Sequence, residues 1–195
     1  MKLSEKYKNK KILLASKSPR RQELLKGLDI NFEIAEIIDI NEDFPTNINA
    51  EEIAAYLSEL KAQTYIKNIK ENEILITADT IVWHNDIVLN KPKDREEAYK
   101  MISALSGDKH MVFTGVTISS SLKQKTFVSA TKVFFKQLTD DEIYYYIDTY
   151  KPFDKAGAYG IQEWIGYIGI ERIEGSYFNV MGLPVQKLYD ELLIF

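Results

Sequence analysis

Four short segments of the chain hold residues whose types and spacing suit phosphate chemistry. The first is Ala15-Ser16-Lys17-Ser18-Pro19-Arg20-Arg21, where an apolar run hands over to a helix start. A helix N-terminus offers free N–H donors and a partial positive charge. Two hydroxyls and two arginines on that turn make an anion site, most naturally for phosphate. A plain helix cap with solvated arginines accounts for the same residues equally well. The second segment, Ile76-Thr77-Ala78-Asp79-Thr80, ends an apolar strand in a carboxylate followed by a hydroxyl. Ligands of open α/β sheets sit at the carboxyl ends of strands, so Asp79 is a candidate general base, a divalent-metal ligand, or both. A turn-initiating Asp is the competing reading.

The third segment is Asn90-Lys91-Pro92, in which Lys91 offers a point charge to a phosphate or to departing pyrophosphate, although most lysines are simply solvated. The fourth runs Asp154-Lys155-Ala156-Gly157-Ala158-Tyr159-Gly160-Ile161-Gln162. Its glycines permit close backbone approach to a ligand. The Gln162 amide carries the donor and the acceptor needed to read a uracil or thymine edge. An ordinary glycine-rich turn fits that stretch too. Lys61 flanks the apolar stripe of Leu57, Leu60 and Thr64, so its ammonium points into a cleft or snorkels to solvent. The two histidines, His84 and His110, sit in turn-like contexts and receive no role, and Tyr144, Tyr145 and Tyr146 read as packing.

The elements that must position these groups alternate between strand and helix, which predicts a mixed α/β architecture. Strands are expected at Lys11–Ala15, Phe32–Ile37, Ile74–Ala78, Met111–Ser119, Thr126–Phe135 and roughly Tyr167–Ile173, with a hairpin of Ile81–Trp83 and Ile87–Leu89 around His84-Asn85-Asp86. Helices are expected after four starts: Ser18 with Pro19, Asn49 with Glu52, Asp94 with Glu97, and Thr139 with Glu142. Gly27 and Gly107 end the first and third of these, and a closing helix begins at Pro184.

A chain of 195 residues with 45% hydrophobic and 12% aromatic content can build a substantial core, as one domain or two closely packed lobes. No window approaches the ~20 apolar residues of a membrane span. The short run Ile12–Ala15 is too brief for a secretory signal, so a cytoplasmic location is the default. Without cysteine there is no thiolate nucleophile and no Cys-based metal site. The 25 Lys and Arg against 29 Asp and Glu argue for a small polyanion in a local pocket rather than nucleic acid on a broad basic surface.

Taken together and in this order, ASKSPRRQELL, TADT, NKP, LSG at Leu105–Gly107, DKAGAYGIQ and GSYFNVMGLP at Gly175–Pro184 resemble the Maf family of nucleotide pyrophosphatases, also called septum-formation-inhibitor-like proteins. The resemblance runs from Ile12 to about Leu192. It implies a single domain over residues 1–195, two lobes around a central cleft, built on an elongated, twisted mixed sheet flanked by helices, similar to inosine-triphosphate pyrophosphatases. It implies a Mg²⁺- or Mn²⁺-dependent enzyme in which Asp79 is the proton acceptor, and in which Arg20, Thr80 and Gln162 bear on substrate choice. Ser16, Arg21, Lys61 and Lys91 match other polar cleft positions. An acidic residue after the second strand also belongs to the pattern: Glu42 matches best, with Asp39 or Asp43 as alternatives. A homodimer is implied by resemblance alone.

GAYGIQ and GSYFNVMGLP resemble the branch acting on dTTP and UTP more than the branch acting on 7-methyl-GTP. Glu163-Trp164 departs from that branch, where glycine usually follows the Gln. The expectation is therefore a pyrophosphatase releasing nucleoside monophosphate and pyrophosphate. Asp79 and Glu42 would hold the metal, Arg20 and Arg21 would grip phosphates over a cavity shared with Asp79, and Lys91 and Lys155 would neutralise pyrophosphate. A housecleaning enzyme for modified nucleotides and a nucleotide-binding regulator of cell division are the alternatives.

Overall fold

A computed structural model describes residues 2–195. In chain order the elements are α1 (Leu3–Lys6), β1 (Lys11–Leu14), α2 (Pro19–Lys26), β2 (Phe32–Ile34), α3 (Ala50–Ile66), β3 (Glu73–His84), β4 (Ile87–Leu89), α4 (Arg95–Leu105), β5 (Lys109–Ser119) and β6 (Gln124–Phe135). The rest are α5 (Asp140–Tyr150), a 3₁₀ turn (Ala156–Ala158), α6 (Trp164–Gly169), β7 (Ile170–Glu174), α7 (Tyr177–Met181) and α8 (Val185–Ile194). The strands form a mixed, open sheet in the order β2-β1-β3-β5-β6-β7, with β4 paired to β3. Pairing of β1 with β2 and with β3 is parallel, whereas β3–β4 and β6–β7 are antiparallel. The fold class is mixed α/β.

The chain divides into two compact units. The first takes residues up to Asp79 together with Thr114–Ser129 and Gly182–Phe195. Its helix α3 starts at Asn49, whose side chain accepts from the Glu52 N–H while Glu52 reaches back, and it buries Ile53, Ala54 and Leu57. At Gly115 the strand passes so close to this helix that a Cβ would lie 2.0 Å from the Ala54 carbonyl oxygen. Two buried hydroxyl contacts add to the docking: Ser58 Oγ lies 2.9 Å from Thr117 Oγ1, and Thr77 Oγ1 donates to the Ser58 carbonyl at 2.7 Å.

The second unit takes Thr80–Phe113 and Ala130–Met181. Its core joins Val82, Met101, Ile102, Leu105, Val112, Phe135, Ile143, Tyr146, Ile147 and Tyr159. The helices supply their share through faces spaced three and four residues apart, after side-chain caps at Asp94 and Thr139.

Several expectations need correction. The two strands expected at 74–78 and 81–83 are one, β3, running unbroken from Glu73 to His84. The carboxylate at 79 and the hydroxyl at 80 do not break it, because backbone bonding in a sheet overrides the weak local preference of a single Asp for turns. Residues 167–169, expected to begin a strand, instead end the helix α6, and the strand proper is Ile170–Glu174. The isoleucines of that stretch satisfy either period over so short a window. His84 closes β3 and His110 lies within β5; both are buried rather than in turns.

Candidate functional site

In the first unit, Lys61, Asp79 and Glu42 form one cluster. Lys61 is one helical turn beyond Leu57, so it extends from the buried face of α3 and its side chain is 18% exposed. Its ammonium donates to Asp79 Oδ1 and lies 3.0 Å from Glu42 Oε1. The neighbouring acids go elsewhere: Asp39 pairs with Lys17 at 3.0 Å, and Asp43 accepts from Asn41 at 2.6 Å. Glu42 therefore takes the acidic place in this cluster.

Asp79 is buried, and the local ladder explains why a polar network gathers there. Parallel pairing of β1 reaches only Ile76 of β3, and pairing with β4 begins at Val82. Asp79 is thus not at the end of its own strand, as the sequence suggested, but beyond the end of its parallel neighbour. The Ala78 carbonyl falls in this interval, and Arg21 supplies its donor: Nη1 to the oxygen is 2.9 Å. Arg21 Nε also donates to the Gly182 carbonyl at 2.7 Å. Burial draws the Arg21 pKa below its ordinary value, with the charge of Asp79 opposing that trend and Arg20 adding to it. Part of the Arg21 fork is thus committed to backbone carbonyls, one of them that of Ala78, the residue before Asp79.

Helix α2 begins as read: Ser18 caps it by accepting from the Arg21 N–H, and Pro19 follows. Ser16 is buried; its Oγ accepts from the Ser18 N–H at 3.2 Å, and its carbonyl accepts from Gln22 Nε2 at 3.2 Å. These bonds fix the turn that carries Arg20, which is partly exposed.

In the second unit the third and fourth segments come together. The Gly157 N–H donates to the Asn90 carbonyl at 3.2 Å. Gly157 has φ +67°, and a Cβ there would press on the Val82 side chain, so glycine is required. Lys91 is exposed. Lys155 is buried between two acids, 2.7 Å from Asp154 Oδ1 and 3.1 Å from Glu163 Oε1. Gln162 places its Oε1 in a buried position without a hydrogen-bond partner among the described residues. Thr80 opens this unit, half-buried next to Asp79 in the chain. The Glu163 contact was missed in the sequence. Its one signal was a bulky acid where a glycine was expected. The three consecutive tyrosines do pack: Tyr144 stacks on Tyr99, Tyr145 meets Trp164 edge-on, and Tyr146 is fully buried.

A buried carboxylate bonded to a lysine, with an arginine of the neighbouring helix start on the carbonyl before it, lies in this mixed α/β sheet. A family model described as Maf-like protein matches residues 11–195, and the chain belongs to that family. It is 56% identical to a protein of Parabacteroides distasonis named dTTP/UTP pyrophosphatase, over 96% of this chain and 97% of the relative. A Flavobacterium johnsoniae protein of the same name is 50% identical, over 97% of each chain. Among solved structures, a HAM1 protein from Coxiella burnetii aligns with TM-score 0.49 and 15% identity, over 95% of this chain and 100% of that one. A dITP/XTP pyrophosphatase from Mycobacterium abscessus aligns with TM-score 0.44 and 13% identity, over 94% and 97%.

Among the described residues no helix is long and apolar enough to cross a membrane. No group of three or more acidic or histidine side chains that could hold a metal ion occurs among them. Asp79 and Glu42 nevertheless converge on one ammonium and are hard oxygen donors. Mg²⁺ is commonly held by one or two carboxylates, with water and substrate phosphates completing its shell, so this pair fits such an ion.

Proposed function

We propose that this chain hydrolyses dTTP and UTP between the α- and β-phosphates, releasing the nucleoside monophosphate and pyrophosphate. The observation that carries this reading is the Lys61–Asp79–Glu42 cluster, on the strand segment whose Ala78 carbonyl accepts from Arg21. The name of the relatives at 50% identity or above supports the substrate.

In this reading Asp79 takes a proton from water as the water oxygen bonds to the α-phosphorus. The bond from that phosphorus to the bridging oxygen breaks, and pyrophosphate leaves with the electron pair. Lys61 holds the Asp79 carboxylate in place and offers countercharge. Arg20, on the turn fixed by Ser16 and Ser18, meets phosphate oxygens. Asp79 and Glu42 would hold Mg²⁺ or Mn²⁺, which would supply neutralisation of phosphate charge. Cleavage of this kind depends mostly on positioning and charge stabilisation, which is what these residues supply.

The base is read by Gln162. Its buried Oε1 lacks a donor, and N3–H of uracil or thymine is one; cytosine has no hydrogen there. A site built to bond a substrate N–H strongly rejects an analogue lacking it, because its own polar group is left unpaired. The test is a panel of UTP, dTTP, CTP, 5-methyl-UTP, pseudo-UTP and 7-methyl-GTP with Mg²⁺, run on the parent chain and on Gln162→Ala. The parent should favour uracil and thymine nucleotides, and Gln162→Ala should lower UTP-over-CTP preference by about tenfold or more. An unchanged profile removes Gln162 from the base site. A parent that prefers the modified nucleotides would favour the housecleaning reading, and binding without product would favour a regulator.

A further inference from the structure

Tyr146, Glu163 and Lys155 form a linked set in the second unit that the hydrolytic step does not itself require. Tyr146 is fully buried on α5. Its hydroxyl donates to Glu163 Oε2 and accepts from the Gly160 N–H at 3.0 Å. The other carboxylate oxygen of Glu163, Oε1, lies 3.1 Å from Lys155 Nζ. Both oxygens of one carboxylate are thereby used, one toward a buried phenol and one toward a buried ammonium. Burial first, and the Glu163 bond second, push the Tyr146 pKa far up, so the phenol remains a donor.

The same contacts close around residues 160–163. The Glu163 N–H donates to the Gly160 carbonyl at 3.0 Å, while the Gly160 N–H is taken by Tyr146. A Cβ at Gly160 would lie 2.9 Å from the Glu163 carboxyl carbon, so the Glu163 side chain folds back over its own turn. Gln162 lies inside that turn, and a Cβ at Gly160 would also come 3.1 Å from its amide nitrogen. Side chains held this way keep their geometry without reorganising when a ligand arrives.

We propose that Glu163, anchored by Tyr146, is a positioning residue for base selection, holding both the Gln162 turn and the Lys155 ammonium. This rests on the reading of Gln162 as the base-selecting group. Glu163→Gly removes both contacts; Tyr146→Phe removes the anchor alone; Glu163→Gln keeps an acceptor for the phenol. The experiment measures kcat and KM for UTP and CTP on the full chain carrying each substitution, with a thermal melt to establish folding.

Glu163→Gly and Tyr146→Phe should raise KM for UTP by about fivefold to tenfold, move kcat by less than about twofold, and lower the UTP-over-CTP ratio of kcat/KM by about fivefold. Glu163→Gln should restore most of that ratio, whereas Glu163→Leu, which keeps the bulk but offers the Tyr146 phenol no acceptor, should not. A folded Glu163→Gly with parental KM and ratio overturns the proposal, as does Glu163→Gln that is no better than Glu163→Gly. Should Glu163→Gly not fold, Tyr146→Phe decides on the same readout. If Gln162→Ala relaxes selection while Glu163→Gly does not, the positioning role alone falls. If Gln162→Ala also changes nothing, the base reading itself has failed.

Discussion

Arg21 Nη1 donates to the carbonyl oxygen of Ala78, the residue before Asp79, at 2.9 Å. That bond takes the place of a ladder partner where pairing of β1 has stopped at Ile76. It joins the helix that starts at Ser18 to the backbone carrying the candidate base. Arg21→Lys keeps a charge but not the fork that serves Ala78 and Gly182 together. It should lower stability by about 1–3 kcal/mol in urea unfolding, since a part-buried carbonyl loses its donor. It should also reduce kcat by about tenfold or more, because Asp79 is no longer held. A variant with unchanged unfolding and turnover would show that Arg21 does not support this backbone.

Asp79→Asn preserves the shape of the side chain and can still accept from Lys61. General-base groups contribute about 10²–10⁴-fold, so kcat on dTTP should fall by at least about 100-fold while the melting temperature stays within a few degrees. Parental turnover from the purified variant would remove the base role.

Gly115 tests how Lys61 is placed. An alanine there would put its Cβ 2.0 Å from the Ala54 carbonyl oxygen, on the helix that carries Lys61. The carbonyl belongs to backbone and cannot swing aside, so α3 must shift. Gly115→Ala should cost about 3 kcal/mol or more and lower activity in the folded fraction. Unchanged stability would mean that strand and helix are not in this contact.

His110 sets an acid limit. It is buried, with Nε2 at 2.7 Å from the Tyr159 hydroxyl, and burial lowers its pKa from 6.5 to about 3, helped by His84 and opposed by Asp108. In the unfolded chain it titrates near 6.5, so between these values the unfolded state binds more protons. Its stability contribution is present above pH 6.5 and is lost as pH falls toward 3. At pH 5 the loss should be about 2 kcal/mol relative to pH 7.5. Denaturant unfolding of the parent and of His110→Gln at both pH values measures it: the variant should lose less. Equal losses would contradict the assignment.

Local rules carried much of the fold. Asn49 with Glu52 and Thr139 with Glu142 are capping boxes, and Pro19 and Asp94 start helices as their chemistry dictates. What local rules cannot supply is tertiary choice. The continuous β3 depends on partners along its length, and α6 at 164–169 is too short for its period to be read. The site divides in the same way. Asp79, Glu42 and Lys61 were named from motif and face, but not that one ammonium joins two carboxylates. Arg21 looked like a phosphate grip because its type and helix position suit one; its bonds to Ala78 and Gly182 depend on segments 57 and 161 residues away. Glu163 stood out as an odd residue, and its reason required seeing Tyr146 beneath it.

The bond that is cut is the central claim, and oxygen-18 labelling reads it directly. The purified chain is incubated with dTTP and Mg²⁺ in ¹⁸O-water, and the products are separated and weighed by mass spectrometry. Attack at the α-phosphorus predicts dTMP carrying one ¹⁸O and unlabelled pyrophosphate. Label in the pyrophosphate, or release of dTDP with orthophosphate, would contradict it.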